Sequence, residues 1–388
     1  MSPIHCLVTF GTRPEAVKMA PLVRALQADA ERFRVTVVVT AQHREMVDQV
    51  IDVFGLTPDY DLDLMQPGQT LPDLTGRVLS AMTPVLQATR PDLVLVQGDT
   101  TTVLAASLAA FYEQIPVGHV EAGLRTTNLY EPFPEEMNRR LTTRLATLHF
   151  AATDWGRDNL AREGVTDGVY VCGNTVIDAL RGVAARDLEL PPDVSEAQLD
   201  GRRLVLVTAH RRENLGAPLA DICAALRDIA AAHHDVLLVY AMHRNPKVRD
   251  TVRAVLGDVE RVLLIEPPDY FHFVALLKRA HLVLTDSGGI QEEAPALGKP
   301  VLVLRRNTER PEGVDAGTAR LVGTDRAAIT AAAGELLSGE AAYDHMARAV
   351  NPYGDGRAAL RITEAIAHHF DRGPRPPDFA PGGTTAHA

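Results

Sequence analysis

The sequence predicts an α/β protein made of two doubly wound parallel sheets, one in each half of the chain. Short apolar runs alternate with amphipathic stretches of helical spacing, as in parallel sheets covered by helices on both faces. The pattern fades near residue 190 and restarts after residue 200. The chain also has 388 residues, too many for one ordinary core, so we expect two domains of similar size.

The strands are predicted where several apolar residues follow one another. In the first half these runs are Ile4–Phe10, Val35–Thr40, Leu93–Gln97, Val117–Val120 and Leu148–Ala151. In the second half they are Leu204–Thr208, Val236–Tyr240, Val262–Ile265, Leu282–Thr285 and Val301–Leu304. The stretches between strands carry helical spacing, and a last helical stretch covers Arg357–Phe370.

The domain boundary is predicted between residues 172 and 202. The stretch Asp187–Leu199 within it is acidic and contains Pro191-Pro192, which is typical of a linker. We therefore expect a first domain over residues 1–172 and a second over residues 173–356. The tail, residues 372–388, is rich in proline and glycine and is expected to be disordered.

Composition excludes several classes of protein. A formal net charge of −11 argues against a nucleic-acid partner, although a local cluster of arginines can still bind a small anion. The cysteines Cys6, Cys172 and Cys223 are far apart, which predicts buried free thiols without disulfides or zinc. No apolar run reaches the roughly 18 residues of a membrane span. We therefore expect no membrane contact and a cytoplasmic location.

A glycine-containing turn precedes a helix in each half. Gly11-Thr12-Arg13-Pro14-Glu15 brings an arginine to a helix N-terminus, and Lys18 follows one turn later. Thr285-Asp286-Ser287-Gly288-Gly289 leads into Glu292 and Glu293, whose carboxylates are suited to ribose hydroxyls. Helix N-termini favour anions, so both turns are predicted phosphate sites. Plain turns capped by threonine or serine are the alternative.

Acidic residues follow the strands of the first half. Asp99 comes after Leu93–Gln97, Glu121 ends the next run, and Glu135 opens a helix on the same face as Arg139. The carboxyl ends of parallel strands meet at one edge of a sheet, so these carboxylates are expected to converge. Clustered carboxylates drive their pKa values apart, which suits proton transfer. A single one of them is more often a helix cap or a solvated acid.

Two further segments of the second half are candidates. His210 follows the strand Leu204–Thr208 beside Arg211 and Arg212, and it is predicted to bind phosphate or move a proton. His243 is a weaker candidate of the same kind. Arg310, after the run Val301–Leu304, is predicted to contact a base or a phosphate, with a plain surface loop as the alternative.

Several common motifs are missing from the sequence. It contains no GxGxxG, Walker A or GxSxG pattern, and its histidines show no metal-ligand spacing. We therefore expect neither a nicotinamide cofactor nor a metal, and the sequence does not favour a dehydrogenase or an ATPase.

In their order, these motifs closely resemble those of the bacterial non-hydrolysing UDP-N-acetylglucosamine 2-epimerases. The resemblance runs from FGTRPEAVKMAP to NPYGDG through TAQHREM, QGDTTT, GHVEAGLRT, PEEMNRR, GNTVIDAL, HRREN, LTDSGGIQEEAP, GKPVLVLR and TERPE. It implies a glycosyltransferase-B-like fold, with two Rossmann-like domains around a cleft that closes on the ligand. It also implies that a final helix, about 357–371, returns to the first domain, and that a homodimer acts on a UDP-sugar without a cofactor.

The resemblance also implies roles for single residues. The catalytic set is Asp99, Glu121, Glu135 and His210. The residues that bind the UDP-sugar are Arg13, Lys18, Arg139, Phe273, Ser287, Gly288, Gly289, Glu293 and Arg310. Gln42, His43 and Arg44 resemble part of a second, regulatory UDP-sugar site of some members. Met65–Gln69 lacks the basic residue that some members have there.

The reaction implied is epimerisation at C2 of the sugar. UDP leaves C1, a carboxylate removes the C2 proton to give a 2-acetamidoglucal, and UDP adds back after protonation of the opposite face. Three alternatives remain at this point: a hydrolysing epimerase that releases UDP and N-acetylmannosamine, a glycosyltransferase-B-type sugar transferase, and a non-catalytic sensor. The sequence leaves open which carboxylate serves which face and whether the sugar is modified.

Overall fold

The computed structural model describes residues 2–40, 50–51, 53–66 and 68–382. The predicted regulatory residues Gln42, His43 and Arg44 lie outside these ranges. Internal contacts divide the chain into two compact units, residues 1–179 with 353–388, and residues 180–352. The predicted boundaries, 172/173 and 356/357, fall close to this division.

The first unit is built on a parallel sheet of seven strands. Its strands are β1 (Ile4–Phe10), β2 (Phe33–Val39), β3 (Tyr60–Asp61), β4 (Leu93–Gln97), β5 (Val117–Ala122), β6 (Leu148–Ala151) and β7 (Val169–Val171). Their order in the sheet is β3-β2-β1-β4-β5-β6-β7. The first helices are α1 (Arg13–Ala28), α2 (Leu71–Thr89), α3 (Thr101–Tyr112), α4 (Glu135–Leu145), α5 (Asp154–Arg162) and α6 (Thr175–Ala184).

The second unit repeats this architecture with six parallel strands. They are β8 (Arg203–Thr208), β9 (Val236–Ala241), β10 (Val262–Ile265), β11 (Ala280–Thr285), β12 (Val301–Val303) and β13 (Ala319–Leu321), in the order β10-β9-β8-β11-β12-β13. The remaining helices are α7 (Glu196–Leu199), α8 (Ala217–Ala232), α9 (Pro246–Leu256), α10 (Tyr270–Arg279), α11 (Gly288–Ala296), α12 (Pro311–Asp315), α13 (Arg326–Ser338), α14 (Glu340–Ala347) and α15 (Ala358–His369). None of the helices in the described part of the chain is both long and apolar enough to span a bilayer.

The predicted fold class is confirmed, and burial explains why the sequence signals it. Every residue of β1, β4 and β5 is buried, because both faces of each strand are covered. Such strands read as continuous apolar runs, which is the pattern that predicted them. The strands that prediction missed, β3, β7 and β13, have only two or three residues and carry too short a pattern.

The chain returns to the first unit at residue 353, and α15 packs there against α1. The return is fixed by a backbone hydrogen bond from Asn174 N–H to the Tyr353 carbonyl (2.7 Å). The N-terminus of α15 then donates two backbone N–H groups to the carboxylate of Asp178.

The expected disorder of the tail is wrong for its described part, residues 372–382. Phe379 is buried, and its backbone N–H donates to the carbonyl of Val171 (2.7 Å). The Asp378 carboxylate accepts a hydrogen bond from the Val171 N–H (3.1 Å). The tail thus satisfies backbone groups of the edge strand β7, which would otherwise be open to pairing. Composition could not signal this contact, because one buried phenylalanine anchors the segment.

Asp178 makes the stability of the first unit depend on pH. Burial raises its pKa to about 6, although the N–H groups of Ala359 and Ala358 favour the charged form. An unfolded chain has an aspartate pKa of about 3.9. Between these two pH values Asp178 binds its proton more tightly in the folded protein than in the unfolded chain. Its contribution to the free energy of unfolding is therefore full below about pH 4 and is lost as the pH rises through 6.

We expect Asp178→Asn to remove this dependence. The two N–H groups donate to different carboxylate oxygens, so asparagine keeps one of these hydrogen bonds and turns its NH₂ group toward the other donor, but it carries no ionisable group. The free energy of unfolding of the variant relative to wild type should therefore rise by about 1–3 kcal/mol between pH 4 and pH 7. Urea denaturation from pH 4 to 7.5 measures the difference between variant and wild type, which should grow with pH. Asp325→Asn, at the exposed cap of α13, is the matched control and should show no such growth. An equal difference in the free energy of unfolding between variant and wild type at pH 4 and pH 7 would contradict the role of Asp178 in the pH dependence.

Candidate active site

The predicted site residues lie where the strand order of each sheet reverses. The reversal falls between β1 and β4 in the first unit and between β8 and β11 in the second. Ligands of doubly wound sheets bind outside the carboxyl ends of the strands at such points. Arg13 and Asp99 follow β1 and β4, whereas His210 and Ser287 follow β8 and β11. Each unit therefore carries a set of polar residues at its own reversal point.

Glu15 organises the loop after β1, although it was not among the predicted site residues. Its buried carboxylate accepts hydrogen bonds from the N–H groups of Gly11 (2.8 Å) and Thr12 (2.7 Å). The Thr100 hydroxyl donates to its other oxygen (2.5 Å), which ties the loop after β1 to the loop after β4. The capping-box spacing of Thr12 and Glu15 is the sequence signal that could have identified it.

Close packing requires a glycine at position 11, in addition to the turn in which it lies. A Cβ atom at this position would lie 2.2 Å from Thr40 Oγ1 and 2.9 Å from Thr102 Oγ1. Both threonines are buried. The loop that carries Arg13 is therefore pressed against two neighbouring elements, which fixes its path.

Glu121 is held as a carboxylate acceptor at the end of β5. Its backbone is left-handed (φ +64°), and the pairing of β5 with β6 shifts register at this position. Lys18 Nζ (2.5 Å) and Gln97 Nε2 (2.5 Å) each donate to one oxygen, and Asn174 Nδ2 donates at 2.8 Å. A left-handed non-glycine residue is strained, and such strain is often found at functional sites. Three donors thus satisfy the oxygens of one buried side chain.

Asp99 has different surroundings from Glu121. It accepts a hydrogen bond from Arg139 Nη2 (2.5 Å), and 25% of its side chain is exposed. Burial raises its pKa and the charge of Glu121 adds to this, while Arg139 and Lys18 oppose it; the net direction is upward. Glu121 and Asp99 are thus close enough for the charge of one to act on the other, and they have different hydrogen-bond partners.

The spacing of Glu135 and Arg139 predicted a shared helix face, and the structure shows which carboxylates Arg139 contacts. Arg139 pairs with Asp99 and with Glu136 (3.4 Å). Glu136 is fully buried and also accepts a hydrogen bond from Arg140 Nε (2.7 Å). Glu135 is partly buried, and its carboxylate makes no hydrogen bond or ion pair with any other residue that the structure describes. The helical spacing predicted a shared face, but only the packing of α4 reveals which glutamate turns inward.

Arg13 is the first residue of α1 and is partly buried. Within the described ranges its guanidinium makes no hydrogen bond or ion pair. Lys18, by contrast, is engaged by Glu121. Of the two predicted cations, Arg13 is therefore the one whose charge is not already paired with a described residue.

Asp286 organises the second unit's site and was also not predicted as a site residue. One oxygen of its fully buried carboxylate accepts from the N–H groups of His210 and Arg211 (2.8 Å each) and from Asn214 Nδ2 (2.9 Å). The His210 ring stacks on His243 with centroids 5.0 Å apart. Burial lowers the pKa of His210; Asp286 opposes this and His243 and Arg211 reinforce it.

Arg310 lies over the N-terminus of α11. A Cβ atom on Gly288 would meet its guanidinium at 2.4 Å, so this glycine makes room for an arginine. Arg310 Nε donates to Glu292 (2.5 Å) and Nη1 to Glu309 (2.9 Å). Burial opposes the charge on Glu309, but Arg310, Arg305 and Arg211 outweigh it and lower the pKa of Glu309 to about 2. Two carboxylates thus hold the guanidinium beside helix N–H groups that favour an anion.

The other predicted contacts of the second unit surround the same helix. Glu293 is buried and accepts a hydrogen bond from the Tyr270 hydroxyl (3.1 Å), and Phe273 lies on the same helix as Tyr270. Ser287 is the N-cap residue before α11, but its side chain makes no capping hydrogen bond among the described residues. Gly289 has space above it, since an added Cβ would lie 4.0 Å from Glu293.

The chain is similar to known proteins over most of its length. The family profile described as UDP-N-acetylglucosamine 2-epimerase matches residues 24–367. The UDP-N-acetylglucosamine 2-epimerase of Escherichia coli (strain K12) is 55% identical over 372 residues, covering 94% of this chain and 98% of the relative. That of Salmonella typhimurium is 55% identical over 369 residues, covering 93% and 97%. The crystal structure of UDP-GlcNAc 2-epimerase from Neisseria meningitidis bound to UDP-GlcNAc is 46% identical, with a TM-score of 0.86, and covers 94% of this chain and 100% of that one.

Gly11→Ala should destabilise the first unit by about 1–3 kcal/mol, because Thr40 or Thr102 must move to admit the methyl group. Gly76→Ala is the matched control: it lies inside α2, where an added Cβ meets nothing within 4 Å. The control should be neutral or more stable by up to about 1 kcal/mol. Urea denaturation of the three proteins measures both effects. Equal midpoints for wild type and Gly11→Ala would show that this packing does not constrain the loop.

Proposed function

The chain belongs to the UDP-N-acetylglucosamine 2-epimerase family, and on that basis we propose that it interconverts UDP-N-acetylglucosamine and UDP-N-acetylmannosamine. The observation that carries the proposal is the pair Glu121 and Asp99. Three donors surround the carboxylate of Glu121, whereas the pKa of Asp99 is raised. A reaction that must both stabilise charge and move protons needs two carboxyl groups in such different environments.

The chemistry follows from the substrate. The C2 proton of the sugar is not next to a carbonyl group, so its direct removal would be very slow. Elimination avoids this: the C1–O bond breaks with its electrons leaving on UDP, a base takes the C2 proton, and a C1–C2 double bond forms. Protonation of the opposite face of C2 and return of UDP to C1 then give the epimer. Atoms and electrons balance without an oxidant.

We assign the departing UDP to the second unit. Arg310 and the N–H groups at the start of α11 are positioned to receive pyrophosphate oxygens, and His210 adds a further donor when protonated. Glu293 and Phe273 are assigned to the nucleoside, and Gly289 leaves the backbone accessible. Arg13 of the first unit is assigned to the phosphates, because its charge is unpaired among the described residues.

We assign the sugar to the first unit. Glu121, surrounded by three donors, stabilises the positive charge that develops at C1 as UDP leaves. Asp99, whose pKa is raised, and Glu135, which has no described partner, are assigned to taking and delivering the C2 proton. Arg139 and Lys18 hold Asp99 and Glu121 in place.

Deuterium exchange tests the proposal directly. The enzyme, without added cofactor or metal, is incubated with UDP-N-acetylglucosamine in deuterated water and followed by proton NMR. We expect UDP-N-acetylmannosamine to appear and deuterium to enter at C2 of the product. We further propose the non-hydrolysing reaction, so free UDP should stay far below the amount of epimer formed. Stoichiometric UDP and free N-acetylmannosamine would point to the hydrolysing reaction, and no turnover would refute the function.

Asp99→Asn and Glu121→Gln should each lower kcat by about 10²–10⁴-fold while UDP still binds, because each removes one charge or proton carrier. Asp99→Asn should also suppress deuterium entry at C2. Glu31→Gln, an exposed glutamate in the loop before β2, is the matched control and should retain wild-type turnover. Calorimetry with UDP separates lost chemistry from lost binding. Near-normal turnover in either variant would remove that residue from the mechanism.

We also propose that the chain acts as a homodimer through α3 and α4. These helices pack side by side and expose Phe111, Tyr112, Met137 and Leu141, each at least 40% exposed. Single apolar side chains are ordinary on a protein surface, but several on adjoining helices form the kind of patch that subunit interfaces cover.

The three cysteines are all free and buried, which is consistent with our expectation that the enzyme works in the reducing cytoplasm.

Light scattering should therefore give twice the 42.0 kDa mass of one chain. Met137→Glu combined with Leu141→Lys should yield single chains, since both substitutions place charges in the patch. Leu360→Lys, at an exposed position on α15, is the control and should leave the mass unchanged. A wild-type mass of one chain at micromolar concentration would refute the dimer.

A further inference from the structure

Asp286 is a fully buried carboxylate whose two oxygens have different surroundings. One oxygen accepts the three hydrogen bonds from the loop of His210, Arg211 and Asn214. These bonds explain the path of the loop, which turns directly after β8 into a short 3₁₀ helix, Arg212–Asn214. All three bonds end on Oδ2, one of the two carboxylate oxygens.

The other oxygen, Oδ1, faces the imidazole of His210. It lies 3.6 Å from His210 Nδ1 and has no hydrogen-bond partner among the described residues. A buried acceptor without a donor is unfavourable. The contact would become a hydrogen bond if it shortened by about 0.5 Å. The geometry therefore leaves one acceptor aimed at one titratable ring.

The other groups around His210 disfavour a positive charge on it. His243 stacks on the ring from the end of β9, and Arg211 follows His210 in the same loop. Burial lowers the pKa of His210, with His243 and Arg211 in the same direction, while Asp286 raises it. Without the carboxylate, the ring would be neutral over a wider range of pH.

We infer that Asp286 is a positioning residue for His210: its Oδ1 accepts the Nδ1–H of the imidazole, fixes the tautomer and ring plane, and directs Nε2 toward the ligand. A positioned ring can hold a proton on Nε2 when negative charge develops on a nearby oxygen. This inference rests on the proposed function, in which that oxygen belongs to the departing pyrophosphate. Asp286 itself touches no substrate atom in this scheme.

Asp286→Asn separates the two roles of the side chain. Its amide oxygen can keep the three donors of the loop, but its NH₂ group then faces His210 where an acceptor stood. The expected result is a switch of neutral His210 from the Nδ1–H to the Nε2–H tautomer and a fall in its pKa, because the carboxylate that raised it is gone. The turnover number should fall about 10²–10⁴-fold, with the alkaline limb of the pH profile displaced to lower pH.

The measurement is long-range ¹H–¹⁵N NMR of the full chain labelled at histidine, with the His210 signals assigned by their loss in His210→Gln. Asp325→Asn is the control, since it changes an aspartate that only caps α13, and it should leave His210 unchanged. An Nε2–H tautomer in the wild-type protein at neutral pH would overturn the inference, and this test does not depend on whether Asp286→Asn folds. An Asp286→Asn protein that folds and keeps the tautomer and pKa of His210 would also overturn it. A wild type with the Nδ1–H tautomer and no epimerase activity would uphold the positioning role and refute the proposed function instead.

Discussion

The cost of burying a carboxylate is the constraint on which both sites depend. An ionised group removed from water must be given donors, or it loses several kcal/mol. Glu15, Glu121 and Asp286 are each buried, and each accepts three or more hydrogen bonds near the carboxyl ends of the strands. The donors of Glu15 and Glu121 come from segments far apart in sequence, and those of Asp286, which follows β11, come from the loop after β8. Each carboxylate thus holds together segments that carry or adjoin the residues assigned to the ligand.

The parallel sheets decide where these carboxylates occur. Every strand of a parallel sheet ends at the same edge, so the loops after β1, β4 and β5 must meet, as must those after β8 and β11. The bulge at Glu121 then turns one side chain into this edge at the expense of a left-handed backbone. Asn174 extends the same network to the point where the chain returns at Tyr353. The fold and the site are therefore stabilised by some of the same contacts.

Differences in environment give similar side chains different tasks. Glu121 is surrounded by donors, Asp99 has one arginine and partial access to solvent, and Glu135 has no described partner. In the second unit, Arg310 is held by two carboxylates, which leave it positive but fixed in direction. A fixed donor needs no reorganisation when charge develops on a ligand, and that is the main source of electrostatic catalysis.

The sequence by itself determined the two α/β units, ten of the strands and the loops that carry the polar residues. It could do so because a strand that is buried on both faces requires a continuous run of apolar residues. Its ordered motifs also pointed to the family to which the chain belongs. Only the tertiary structure decided that Glu136, and not Glu135, pairs with Arg139, that Gly288 makes room for Arg310, and that Phe379 holds the tail on β7. Glu15 and Asp286 likewise became visible as organising groups only there. The physical reason is the same in each case: these contacts join residues distant in sequence, and local periodicity carries no information about which side chains meet across loops.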